Sequence, residues 1–386
     1  MTAAKRKRGG GRNALAETLG TDADVERKRR APAVSPAPPR GADDDDAFAA
    51  FATWQLIDPL LPTGGFAHSQ GLEAAAHAGL VAGGDERLGR RGAEETGWDV
   101  VAFARECVAN AASQSLPFVE AARRVFGALR ERAEEPSPRG GKRNAFSEAD
   151  GKADGDAVAR AVDAFVALDR RLAARLVGNA AATRASAATG AALLRAAIAA
   201  FGRPPPETRT IAATAAEDDD EDAFFPEPLV EALRRAKAAT RSEKRRETRL
   251  PGAHLAVVFG AVAGAAGFSA RHAARIFCYL TLRDTLSAAT RLNLVGPLAA
   301  GAAVRRCVAS AEARAAEAVA ACVRAADRAA AETPKTLNPG GSSGRHAAGL
   351  TRAALLAMTS RAASSSPLVD IVHAGHDALF SRLFNS

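Results

Sequence analysis

Alanine recurs through this chain in runs and at helical spacings, and it constrains the fold more than any other feature. Aromatic residues make up only 5% of the sequence and β-branched residues are thin. Alanine is the best helix former, and no segment shows the period-2 alternation of a half-buried strand. Small side chains let helices approach closely and leave gaps for scattered Leu, Val and Phe to fill. With 386 residues and 47% hydrophobic content, the chain is long enough for a sizeable core. The expectation is all-α: one compact bundle of about ten helices, with a disordered N-terminal tail and long linkers.

Residues 1–46 are Arg-, Pro- and Gly-rich and end in Asp43-Asp44-Asp45-Asp46. Such a stretch buries too little surface to offset its ordering entropy, so disorder is expected there. Helical patterns are read over 47–57, from Ser69 as N-cap to Ala82 before Gly83-Gly84, and over 98–114. Leu116-Pro117 is read as a break before a helix over 118–134. Further helices are expected over 157–177, 180–200, 229–249, 255–266, 270–292, 297–331 and 347–361, then the Ser364–Pro367 turn and a short tail. Segments near 136–156 and 203–250 read as insertions in a helical domain spanning 47–386. The second includes an acidic run, Glu217–Asp222, and a basic helix carrying Arg234, Arg235, Lys237 and Arg241.

The formal charge of +8 suggests a nucleic-acid partner until it is located. Residues 1–40 hold ten Lys/Arg against four Asp/Glu, and the remainder carries only +2. The folded part is nearly neutral, and the tail reads as solvated. Its runs Lys5–Arg8 and Arg27–Arg30 also suit a nuclear or organelle address. Cys107, Cys278, Cys307 and Cys322 form no CxxC and read as buried hydrophobes in a reducing compartment. No apolar run is long enough to span a membrane. There is no G-x-x-x-x-G-K-[ST] and no G-x-S-x-G, so neither P-loop GTP binding nor a nucleophile elbow is expected.

The stretch Leu56-Ile-Asp-Pro-Leu-Leu-Pro-Thr-Gly-Gly-Phe-Ala-His-Ser-Gln-Gly-Leu-Glu, continuing to Val81, is a glycine turn leading into a helix. Gly64 and Gly65 enter a tight turn cheaply, and Glu73 favours a helix N-terminus. Taken alone, any globular protein can use such an element. The full pattern resembles the N-terminal signature of the UreF family of urease accessory proteins. Arg184–Leu194, His254–Gly260, Arg283–Leu298 and Ser366–Ser386 follow as that family's later segments do, although Gly301 stands near where the family usually has Gln.

The resemblance implies an all-helical accessory protein without catalysis of its own, cytoplasmic and forming a homodimer. It implies pairing with UreD (also called UreH), recruitment of the nickel-carrying GTPase UreG, and docking on apo-urease, with neither membrane nor nucleic acid as partner. The partner-facing residues expected are Phe66, His68, Ser69 and Glu73 near the turn, and His376, Arg382, Leu383 and Phe384 in the tail. Gly64, Gly65, Arg291, Gly296 and Pro297 are expected as structural or dimer elements. Arg291 should find a carboxylate or carbonyl, because an unpaired charge in an Ala/Leu-rich helix is costly. No cofactor is expected to stay bound. Nickel in transit would suit imidazole ligands at His68, His77, His373 or His376; the same residues serve equally as caps, surface pairs or partner contacts. Two other classes remain: a GTPase-activating regulator of UreG acting through Arg382 or Arg291, and a basic nucleic-acid-binding helical protein.

Overall fold

In the computed structural model the described residues, 42–82, 98–135, 148–202, 225–245, 252–332 and 351–386, are almost wholly helical. The chain divides between Asp45 and Asp46, and of the first unit only residues 42–45 are described, as the opening of a helix. That helix is α1, Ala42–Ile57. A 3-10 turn at Gly65–Ala67 leads to α2, Leu72–His77. Next come α3, Val100–Asn110, a π-turn at Ala111–Ser115, and α4, Leu116–Glu134. The bundle continues through α5, Glu148–Leu176, α6, Ala180–Phe201, and α7, Glu227–Arg245. It closes with α8, Leu255–Ala265, α9, Ala270–Arg291, α10, Pro297–Glu332, α11, Arg352–Ser360, and α12, Pro367–Ala374. None of the described helices is long and apolar enough to cross a membrane.

Helix α8 is the axle. Every residue from Ala256 to Ala265 is buried. It packs most extensively on α4, and on α6, α5 and α9. Gly260 and Gly264, one turn apart, explain the closeness of α4. A Cβ added at Gly260 would stand 2.2 Å from the Val119 carbonyl oxygen, and one at Gly264 would stand 2.3 Å from that of Arg123. The two backbones therefore touch where no side chain intervenes. At the other side, a Cβ on Gly190 of α6 would meet the Ala253 carbonyl at 2.1 Å. The free amides at the start of α8 are satisfied from neighbouring helices. Buried Asp169 of α5 accepts from Ala253 N at 2.8 Å and His254 N at 2.7 Å, and Ser186 Oγ of α6 accepts from Leu255 N at 3.2 Å. Aromatic pairs fill gaps that alanine leaves, as between Phe259 and Phe277, whose centroids lie 5.3 Å apart.

The structure departs from the sequence reading at several points. Leu116-Pro117 does not break the helix. The π-turn widens the preceding turn, so that Pro117, which lacks an N–H, enters at the first positions of α4. Helix α5 begins at Glu148, inside the stretch read as linker. Ser69 does not cap a helix reaching Ala82. Gly71 occupies the N-cap, and left-handed Gly79 ends the helix early. Val81–Ala82 then pairs in parallel with Trp98–Asp99, a minimal strand pair where none was expected. The short tail contains a helix of its own, α12. The expectations for residues 1–41, Gly83-Gly84, 136–147, 203–224 with the acidic run, 246–251 and 333–350 fall outside the described residues.

The α4–α8 contact predicts a specific sensitivity. Gly260→Ala should lower unfolding free energy by about 1–3 kcal/mol, because the methyl collides with backbone rather than with a movable side chain. Gly127→Ala, whose added methyl meets nothing within 4 Å, should be neutral or stabilising. Denaturant titration of both variants checks the difference.

Candidate functional site

The Gly64–Glu73 segment and the tail, far apart in sequence, close on each other. Gly64 takes a left-handed conformation, φ 74°, and Gly65 is buried beneath α9. A Cβ at Gly65 would stand 2.6 Å from Asp284 Oδ2, so the second glycine is required by close approach rather than by its dihedral angles. Asp284 bonds to its neighbour Arg283, which also donates to the Ile57 carbonyl at 2.6 Å and ties the end of α1 to α9. Burial pushes the Asp284 carboxyl above the usual carboxylate range, against the pull of Arg283.

Glu73 is the central group. It is 1% exposed and accepts three hydrogen bonds from the tail. His376 Nε2 lies 2.9 Å from its Oε2, Phe384 N donates to the same oxygen at 3.1 Å, and Leu383 N donates to Oε1. The main chains join as well. Ser69 N donates to the Ser386 main-chain oxygen at 2.7 Å, and Asn385 N donates to the Ala67 carbonyl at 2.9 Å. The Ser69 hydroxyl donates to the same Ser386 oxygen at 3.1 Å, which is why it caps no helix. His68 Nδ1 lies 2.6 Å from Ser386 Oγ. From α9, Arg291 donates to the Phe66 carbonyl and holds its guanidinium 4.3 Å from the centre of the Phe384 ring. The carbonyl partner expected for Arg291 is present, although the residue is exposed rather than enclosed in the helix bundle.

The expected contact residues therefore divide. Ser69, Glu73, His376 and Phe384 are buried and support the junction from beneath. Phe66, Leu383 and Arg382 stand on its surface, joined by Phe380, which flanks Arg382 in the tail, and by Leu368 and Ile371, which reading the sequence did not single out. Phe380 is fully exposed, and Phe66 and Leu383 are 64% and 53% exposed. Arg382 lies 3.5 Å from Asp377, which also pairs with Arg184 of α6. Gly296 and Pro297 lie at the exposed start of α10.

The histidines separate in the same way. Glu73 turns inward while His77, four residues on, points to solvent, because the tail covers Glu73 and not the last turn of α2. His373 is buried, with Gly71 against its Cβ (an added methyl there would be 2.8 Å away), and it lines a cavity of about 170 Å³ with His68, Cys107 and Asp284. Asp370, beside it, is engaged by Asn110 at 3.0 Å. Among the described residues, no group of three or more His, Cys, Asp or Glu side chains is placed to hold a metal ion.

Burial lowers the His373 pKa to about 4, with further lowering from His376, His68 and Arg184. The unfolded chain then binds the extra proton first, below its ordinary value of 6.5. The stabilisation from keeping this ring neutral is complete above pH 6.5 and is lost as pH falls towards 4, amounting to about 3 kcal/mol. Unfolding free energies measured between pH 7 and 4.5 should fall more steeply for the wild type than for His373→Gln.

A model of the UreF family matches residues 109–308, just over half of the chain. That span contains Arg184–Leu194, His254–Gly260 and Arg283–Leu298 and excludes the Leu56–Val81 turn. A urease accessory protein F of Arabidopsis thaliana is 27% identical over 336 residues, covering 87% of this chain and 92% of the relative. One of Oryza sativa subsp. japonica is 28% identical over 274 residues, covering 71% of this chain and 75% of the relative. The family match and the helical fold agree: this chain belongs to the UreF family.

Proposed function

We propose that this chain is a urease maturation accessory protein. It joins UreD and brings the GTPase UreG to apo-urease, with nickel as the cargo of the assembly. The observation that carries this reading is the turn–tail junction. A buried carboxylate and histidine hold two distant segments so that Phe66, Phe380 and Leu383 stand exposed beside Arg382 and Arg291. Exposed aromatics next to arginine are the composition of interface anchors. A surface assembled from both ends of the domain exists only in the folded chain, which suits a scaffold that must be complete before partners arrive. We further place the homodimer contact on the separate exposed residues at the start of α10, around Gly296 and Pro297.

The test uses the full chain, co-purified with UreD and UreG and coupled to nickel-dependent urease activation. Wild type should assemble and activate. Phe380→Ala combined with Leu383→Ala should lose assembly by roughly tenfold or more, the scale of two interface anchors, while melting as the wild type does. Failure of the wild type to assemble, or undiminished assembly by the double variant, overturns the reading. Deleting residues 370–386 is the poorer test, because it removes the buried side chains His373, His376 and Phe384 along with the surface.

Arg382 keeps the GTPase-activating alternative in view, since it is exposed and only loosely paired. Arg291 is less suited to that role, being engaged by Phe66 and Phe384. In the same assembly, Arg382→Ala slowing GTP hydrolysis without weakening binding would favour the alternative. Loss of binding would favour the scaffold.

A further inference from the structure

A second cavity, of about 400 Å³, opens against the other face of the π-turn, which contributes Ala112 and Ser113 to it. This is within the range of small-molecule sites. Its long wall is α10, and α11 and the start of α4 complete it. Four arginines line the cavity against a single acid: Arg314, Arg324 and Arg328 from α10, Arg361 after α11, and Glu317. Glu317 pairs with Arg314 at 3.4 Å. No ion pair engages the other three among the described residues, and the connection from 333 to 350 contains no Asp or Glu. Arg324 and Arg328 lie one turn apart on the same wall. Arg328 Nε–H donates to the Arg324 carbonyl at 3.1 Å, which fixes the base of that guanidinium.

Three arginines without an acidic partner line one cavity, and the planar forks of their guanidiniums match phosphate oxygens two at a time. Between them the floor is apolar, formed by Ala318, Ala321, Pro117 and Met358. The cleft thus suits a molecule with a multiply charged head and a flat, largely apolar body. Ser113, Ser365 and Glu317 at its edge supply hydroxyl and carboxylate groups for the polar rim of such a body, whereas an acyl chain would lie against Glu317 with nothing to offer it. We propose that this cleft binds a nucleoside polyphosphate, held by side-chain guanidiniums rather than by a P-loop.

The test is isothermal titration of the full chain with ADP, without magnesium, against inorganic pyrophosphate and dodecyl phosphate. ADP should bind saturably and more weakly as salt rises. Arg324→Ala combined with Arg328→Ala should weaken it by about tenfold or more, as expected for lost charge-assisted hydrogen bonds. Ala321→Phe should abolish binding by filling the floor. Arg271→Ala, which removes an exposed arginine paired with Glu312 elsewhere on the surface, should change nothing. Both phosphate controls should bind about tenfold more weakly than ADP, because each lacks half of the recognition. Absence of ADP binding, an unaffected arginine double variant, or pyrophosphate or dodecyl phosphate binding as tightly as ADP would each overturn the proposal. If Ala321→Phe fails to fold, the arginine pair, exposed on the surface, still decides.

Discussion

A carboxylate taken out of water is expensive unless its oxygens are fully engaged, and Glu73 is engaged by three donors at once. Each donor comes from the tail, more than three hundred residues along the chain. Two are main-chain N–H groups of an irregular segment with no ladder or helix to satisfy them, so the carboxylate takes the place of secondary structure there. Losing Glu73 would strand Leu383 N, Phe384 N and the His376 ring together, and the Phe384 ring would lose the fixed backbone that sets it under Arg291. The exposed side chains of the junction therefore depend on a group that is itself buried.

That junction rests on α9, and α9 rests on α8. Asp284 and Arg291 can reach the turn from α9 only because Phe277 and Leu286 on its inner side pack into the core that α8 organises. Helix α8 carries no charge and little bulk, and its position is set by glycines and alanines that admit neighbouring backbones. Shape complementarity of this kind is unforgiving. A methyl group at Gly190, Gly260 or Gly264 meets a carbonyl oxygen rather than a side chain that can swing aside.

The helical class was legible from alanine alone, and most helices from α3 to α10 lie where periodicity puts them, since apolar spacing reports which face a helix buries. The signature turn was legible as a turn. What periodicity does not carry is the partner of a polar side chain. Ser69 before an apolar run reads as an N-cap because serine so often caps, yet its hydroxyl serves the tail instead. Glu73 and His77 share a helical face, but the tail covers Glu73 and not the last turn of α2, so one is buried while the other is wet. Pro117 reads as a break because proline removes a bond from an α-turn, and a π-turn escapes that rule. The one signal for the Glu73–tail contact was indirect. An acid beside a histidine-bearing, aromatic tail in the same chain is compatible with the pair, and composition alone gives no distance between them.

The same reasoning accounts for the histidines. A chain that used His68, His373 and His376 as fixed ligands would turn their free nitrogens towards a common centre, with hydrogen-bond acceptors behind them. Here His376 spends Nε2 on Glu73 and His68 spends Nδ1 on Ser386, while His373 is pressed beneath Gly71 with its neighbour Asp370 engaged by Asn110. Each ring contributes shape and one hydrogen bond at most to closing the tail over the turn. His376 and His68 thus help close the tail over the turn, and the closed junction leaves Phe66 and Leu383 exposed at its surface.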